Sequence, residues 1–148
     1  MKLNGFGATY QPLVLSLFRF ITGLLLFQYG IAKIFKFPAL PYFANPPPLI
    51  MTAGALELVL GALLMIGLFT RLAAFILSGE MAFAYFLAHA PRGFWPLINH
   101  GELAALYCFL FLYLAAAGGG AWSVDHWWHN RRIAPGEPAR GQLGARGA

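Results

Sequence analysis

Four ionisable residues lie inside long apolar stretches of the sequence, namely Arg19, Glu57, Glu80 and Glu102, and Lys33 lies near the end of the first stretch. A charge at membrane depth costs on the order of 2.5–3.5 kcal/mol even on the lenient insertion scale. Side chains of this kind turn toward a bundle interior, where carboxylates carry protons and a cation sets the local charge. They are therefore the first candidates for chemistry.

The apolar stretches that contain these residues have the length of membrane spans, because crossing hydrocarbon takes about 20 mostly apolar residues. They cover residues 13–35, 49–69, 72–89 and 100–118. The chain has 148 residues, 59% hydrophobic and 10% charged, which excludes disorder and argues against a soluble domain. We predict an all-α membrane protein whose residues 1–134 form an antiparallel four-helix transmembrane bundle.

The basic residues favour one orientation of such a bundle. Four spans place both termini on the same side, and the net charge of +5 is concentrated there. That side would carry Lys2, Arg71, Arg131, Arg132, Arg140 and Arg146, against Lys36 and Arg92 on the other. The positive-inside rule then predicts cytoplasmic termini. The remaining predictions are an interfacial segment at 122–132, where tryptophans accompany arginines at the lipid surface, and a disordered cytoplasmic tail at 135–148. Basicity confined to this region does not indicate a nucleic-acid partner.

Small residues share helix faces with the charges. Gly23 and Gly30 lie on one stripe of the first span, and Gly54 and Gly61 flank Glu57 on the second. Because small residues let helices approach closely in lipid, these stripes predict helix contacts and point the charges inward.

Helix rise places the charged residues at different depths. Measured from the inner boundary, Arg19 lies at roughly 10 Å, Glu80 at roughly 13 Å, Glu57 at roughly 18 Å and Glu102 at roughly 24 Å. We therefore predict an Arg19–Glu80 pair, with Glu80 ionised and Glu57 or Glu102 protonated or in contact with a ligand. Together with an outer group, these residues would form a polar column; that group comprises Glu102, His89, His100 and Lys33.

Structural alternatives exist for several of these residues. The Arg19–Glu80 pair would also serve to fix helix register, Glu102 would suit a helix N-terminus, and Lys33 would reach the interface by snorkelling. We predict no metal site, because His100 and Glu102 are two residues apart and point about 200° away from each other on a helix. A single cysteine, Cys108, excludes an intramolecular disulfide and a CxxC redox pair.

Five segments of the sequence carry a combined pattern: Arg19…Gly23…Gly30-x-x-Lys33, Glu57-x-x-x-Gly61…Gly67-x-x-Thr70-Arg71-x-Ala73, His89-Ala90-Pro91-Arg92-Gly93-Phe94-Trp95-Pro96…Asn99-x-Gly101-Glu102, the segment 107–114, and Trp122-Ser123-x-Asp125. Together these motifs resemble the DoxX family. DoxX proteins are small four-helix proteins of the bacterial inner membrane. Their name comes from a subunit of an archaeal thiosulfate:quinone oxidoreductase, and a mycobacterial member is linked to a complex that resists oxidative stress.

The resemblance implies a redox-associated protein that binds a quinone or similar lipophilic molecule and depends on a redox partner protein. Its catalytic candidates are Glu57, Glu80 and Arg19, and its ligand-binding candidates are Glu102, His89, His100 and Lys33. The alternatives are a non-catalytic scaffold or chaperone for a partner protein, as in the wider superfamily, and a proton-coupled carrier of a small solute. A homodimer remains open, as does the question of whether the protein is an enzyme.

Overall fold

The computed structural model describes residues 4–133, and within this range the chain is helical and contains no strand. The six α-helices are α1 (Asn4–Phe35), α2 (Pro48–Ile66), α3 (Thr70–Ala84), α4 (Pro96–Asn99), α5 (Glu102–Ala117) and α6 (Val124–Ile133). The predicted tail at 135–148 lies outside the described residues. The all-helical fold class is thus confirmed for the part of the chain that can be described.

Three helical stretches are long and apolar enough to cross a membrane: Thr9–Phe35, Pro48–Ile66 and Thr70–Arg92. The third is α3 extended by a π-helical turn at Tyr85–His89 and a 3₁₀ turn at Ala90–Arg92. Helix α5 has 16 residues and is shorter than the predicted fourth span. It begins only after the α4 turn and ends at Gly118, whose φ of 90° stops the helix.

Glycines bring α1 and α2 into close antiparallel contact. A Cβ added at Gly30 would lie 2.5 Å from the backbone nitrogen of Leu58, which no side chain tolerates. Added at Gly23 or Gly61, it would lie 3.0 Å from backbone atoms of the facing helix. The predicted small-residue contact faces are therefore confirmed for this helix pair.

Helix α5 packs antiparallel to α3, and a shared apolar core joins this pair to α1 and α2. Ser78 on α3 donates a hydrogen bond of 2.8 Å to the carbonyl of Cys108 on α5, which fixes the level of the two helices. The core consists of Leu26, Leu64, Ala73, Ala74, Leu77, Met81, Tyr107, Phe111 and Leu114.

The two ends of the packed helices are built differently. At the terminal end, the turn after α2 meets the segment 118–123 and the first part of α1, which contains Pro12. At the loop end lie the 3₁₀ turn Pro41–Phe43 and the short helix α4. We call them the terminal end and the loop end of the packed helices.

Candidate functional site

Lys33 and Glu57 form a buried ion pair between α1 and α2. The Nζ atom of Lys33 lies 2.6 Å from both carboxylate oxygens of Glu57, and the residues are 9% and 3% exposed. The expectation that Lys33 snorkels to the interface is therefore wrong, and Glu57 has a cation as its partner. The reason is helix direction: side chains lean toward the helix N-terminus, so Lys33 near the end of α1 reaches back between the packed helices.

The backbone around this pair makes room for it. Gly54 lies one turn before Glu57, and a Cβ there would be 2.7 Å from the Cβ of Lys33. At the loop end, the ring of Phe43 covers the ammonium, with Nζ of Lys33 5.7 Å from the ring centroid. Lys36 fixes this cover by donating a hydrogen bond of 2.8 Å to the carbonyl of Phe43.

Glu80 on α3 completes a cluster of three ionisable residues. Both of its carboxylate oxygens are buried and have no hydrogen-bond partner among the described residues. The carboxyl group lies within electrostatic range of Glu57 and Lys33. We call these three residues the Lys33–Glu57–Glu80 cluster. It holds one cation and two acids, and only one of the acids is paired.

Arg19 does not pair with Glu80, so that prediction is wrong. Its guanidinium donates instead to backbone carbonyls at the terminal end. The acceptors are Gly119 (2.8 Å), Met65 (2.8 Å), Trp122 (2.6 Å) and Leu64. Arg19 lies in the first half of α1 and leans toward its N-terminus, away from Glu80. It closes the end of α2 and holds the 118–122 segment, and we assign it a positioning role.

Two further charged residues cap helices at the terminal end, and sequence reasoning missed both. The carboxylate of Asp125 accepts hydrogen bonds of 2.8 Å from the backbone N–H groups of Phe69 and Thr70, at the start of α3. Arg71 donates to the carbonyls of Ala115 (3.1 Å) and Ala116 (2.6 Å), at the end of α5. The signal that could have identified them is their place in the Thr70-Arg71 and Ser123-x-Asp125 motifs. Each motif follows shortly after a glycine that ends a helix.

His89 belongs to a polar network at the loop end whose centre is Asn99, a residue that sequence reasoning did not single out. Nδ1 of His89 lies 3.1 Å from the carbonyl of Asn99. The Asn99 amide donates to the carbonyl of Gly93 (2.6 Å) and accepts from the N–H of Gly101 (2.8 Å). Tyr85 donates to the carbonyl of Phe94. This network orders the loop between α3 and α5.

The predicted outer group of four residues is not assembled. His100 and Glu102 are exposed, and Glu102 is the first residue of α5, where an acid suits the helix N-terminus. Within residues 4–133, no group of three or more His, Cys, Asp or Glu residues is placed to hold a metal ion. The predicted polar column is also interrupted, because buried apolar residues such as Leu26 and Leu77 lie between Arg19 and the cluster.

The fold and the site are those of a small helical protein. Its apolar helices are long enough to span a membrane, and they enclose a buried ion pair. A DoxX family profile matches residues 14–90. An uncharacterized protein of Haemophilus influenzae is 44% identical over 123 residues, which are 79% of this chain and 92% of that protein. No solved structure matches the chain. The chain belongs to the DoxX family, and family and helices together indicate a membrane protein.

Proposed function

We propose that this chain is a redox-associated protein of the bacterial inner membrane that exchanges a proton with a bound quinone or similar lipophilic molecule at the Lys33–Glu57–Glu80 cluster. The observation that carries the proposal is the buried, unpartnered carboxyl group of Glu80 beside a satisfied ion pair. The proposed frame is an antiparallel bundle of α1, α2, α3 and α5 across the bilayer.

The proposed protonation state of Glu80 follows from the contacts that the three residues of the cluster make. Lys33 and Glu57 neutralise one another, so a second ionised carboxylate nearby would have no counter-charge of its own. Burying an ion without a partner is far more costly than burying a neutral acid. Glu80 therefore carries a proton in the resting protein, and it gives up that proton when a ligand or the field of the membrane changes its surroundings.

A quinone fits this chemistry because its reduction to a quinol takes up two protons and two electrons. Glu80 supplies one proton, is reprotonated and then supplies the second, and a redox partner protein supplies the two electrons. A protonated carboxyl also donates a hydrogen bond to a carbonyl oxygen, which gives Glu80 a way to hold the quinone as well as to protonate it.

The proposed orientation has both termini in the cytoplasm. Arg71 and Arg131 stand at or beyond the terminal end, and Lys36 and Arg92 stand at the loop end. The excess of arginine near the termini supports this orientation by the positive-inside rule. Arg131 lies over the ring of Trp127, 3.9 Å from its centroid, an arrangement suited to the lipid interface.

The test is the quinone content of protein isolated gently from its own membrane. We expect mass spectrometry to find quinone with the wild-type protein and with Glu102→Gln, whose side chain is exposed. Glu80→Leu removes the donor and should lose the quinone, whereas Glu80→Gln keeps a donor and should retain it. Wild-type protein free of quinone and of any other lipophilic carbonyl compound would contradict the proposal.

A further inference from the structure

An apolar layer separates the Lys33–Glu57–Glu80 cluster from the terminal end. Leu26 on α1, Leu77 on α3 and Phe111 on α5 are at most 1% exposed, and all three lie on the terminal side of the cluster. The polar side chains at this depth already have backbone acceptors: Thr22 donates to the carbonyl of Phe18 on its own helix, and Ser78 to that of Cys108 on α5.

Beyond that layer, the terminal end is closed a second time. The guanidinium of Arg19 fills the space between the end of α2 and the 118–122 segment. Ser16 adds to this closure, because its hydroxyl accepts the backbone N–H of Trp122 at 2.9 Å and donates to the carbonyl of Pro12. A proton from that side would have to cross both layers.

On the loop-end side, the cluster itself contains the charged Lys33–Glu57 pair, and the Phe43 ring lies over the ammonium of Lys33. This ring is carried on a three-residue 3₁₀ turn that Lys36 tethers through the carbonyl of Phe43. The neighbouring Tyr42 is 79% exposed, and its ring packs edge-on against that of Phe43. From Glu80 toward the Phe43 ring, the interior thus contains a charged pair, whereas the terminal side of Glu80 is apolar.

We infer that Glu80 exchanges its proton with the loop-end side of the membrane, past the Lys33–Glu57 pair and beneath the Phe43 ring, and not with the terminal side. The inference rests on the proposed function, in that Glu80 must hold an exchangeable proton. It adds a direction to that function. In the proposed orientation, the proton comes from the side opposite the cytoplasm.

Hydrogen–deuterium exchange of the Glu80 carboxyl group in lipid vesicles tests this direction. The infrared band of a protonated carboxyl is assigned to Glu80 by its disappearance in Glu80→Gln, and its shift is followed after transfer to D₂O. Phe43→Ala removes the cover and should accelerate the shift severalfold. Lys36→Gln, which releases the tether but keeps the ring, should accelerate it in the same direction.

Two control variants distinguish the routes. Tyr42→Ala alters the adjacent exposed ring and should exchange at the wild-type rate. Leu77→Ala opens space on the terminal side of Glu80 and should also leave the rate unchanged. Thermal unfolding in detergent verifies that each variant is folded.

The outcomes separate the inference from the proposed function. A Glu80 band whose exchange is accelerated by Leu77→Ala but by neither Phe43→Ala nor Lys36→Gln would overturn the loop-end route while leaving the proposed function intact. The absence of any protonated Glu80 band would overturn both.

Discussion

Lys33 and Glu57 join α1 to α2 through two hydrogen bonds of 2.6 Å between one ammonium and both oxygens of one carboxylate. The pair lies next to Gly54, where an added Cβ would be 2.7 Å from the Cβ of Lys33. Because the pair is buried, removing either partner would leave the charge of the other unpaired. Lys33 is occupied by Glu57, so the neighbouring Glu80 has no cation of its own.

The first prediction concerns the dependence of these two residues on each other. Glu57→Leu or Lys33→Met alone should lower the free energy of unfolding by about 3–5 kcal/mol, because each leaves a buried charge unpaired. The double variant Lys33→Met/Glu57→Leu should recover most of that loss. Reversible unfolding in mixed micelles measures the cycle, and additive losses in the double variant would contradict a coupled pair.

The second prediction concerns the glycine contact that sets the spacing of α1 and α2. Gly30→Ala should destabilise the protein strongly, because the added methyl group would meet the backbone of Leu58. Gly79→Ala is the matched control: nothing lies within 4 Å of its Cβ position on α3, and alanine favours a helix by roughly 0.5–1 kcal/mol. The midpoint of thermal unfolding should therefore fall for Gly30→Ala and rise for Gly79→Ala. Equal losses of stability in the two variants would refute the close contact.

A third prediction tests the role of Arg19. Arg19→Lys keeps the positive charge but not the planar fork of donors, so part of the carbonyl set loses its partner. Each buried carbonyl left unsatisfied costs about 1–3 kcal/mol. We expect a large loss of stability for Arg19→Lys, with the infrared band of Glu80 unchanged in the fraction that remains folded. A shift of that band would instead indicate that Arg19 acts on the cluster.

A fourth prediction concerns the cap that Asp125 places on α3. Asp125→Ala removes both hydrogen bonds at the start of the helix and should cost about 0.5–2 kcal/mol. Amide hydrogen exchange should accelerate at Phe69 and Thr70. The backbone amides of α2 serve as the internal reference, and equal acceleration there would mean that the cap stabilises the whole helical fold and not the start of α3 alone.

The sequence was sufficient to predict the helices and the faces on which they meet. Long apolar stretches gave the positions of α1, α2 and α3 to within a few residues, apart from the extra N-terminal turns of α1. Glycine spacing identified the contact between α1 and α2, because only the absence of a Cβ permits that distance. The burial of Glu57 followed from its place on the same stripe.

The pairing of the charges could not be predicted from depth alone. Arg19 and Glu80 had similar estimated depths, but the lean of helical side chains toward the N-terminus carries Arg19 outward and Lys33 inward. The partners of Arg19 are backbone carbonyls, which no residue type marks in a sequence. The cap of Asp125 on Thr70 joins residues 55 positions apart and depends on the completed fold.

The most direct test of the central claim is the protonation state of Glu80 in lipid. An infrared difference spectrum between wild type and Glu80→Gln, with Glu102→Gln as the exposed control, should contain the carbonyl stretch of a protonated acid at neutral pH. That stretch should be absent from Glu80→Gln and present in Glu102→Gln. A wild-type spectrum showing only ionised carboxylates would contradict the account.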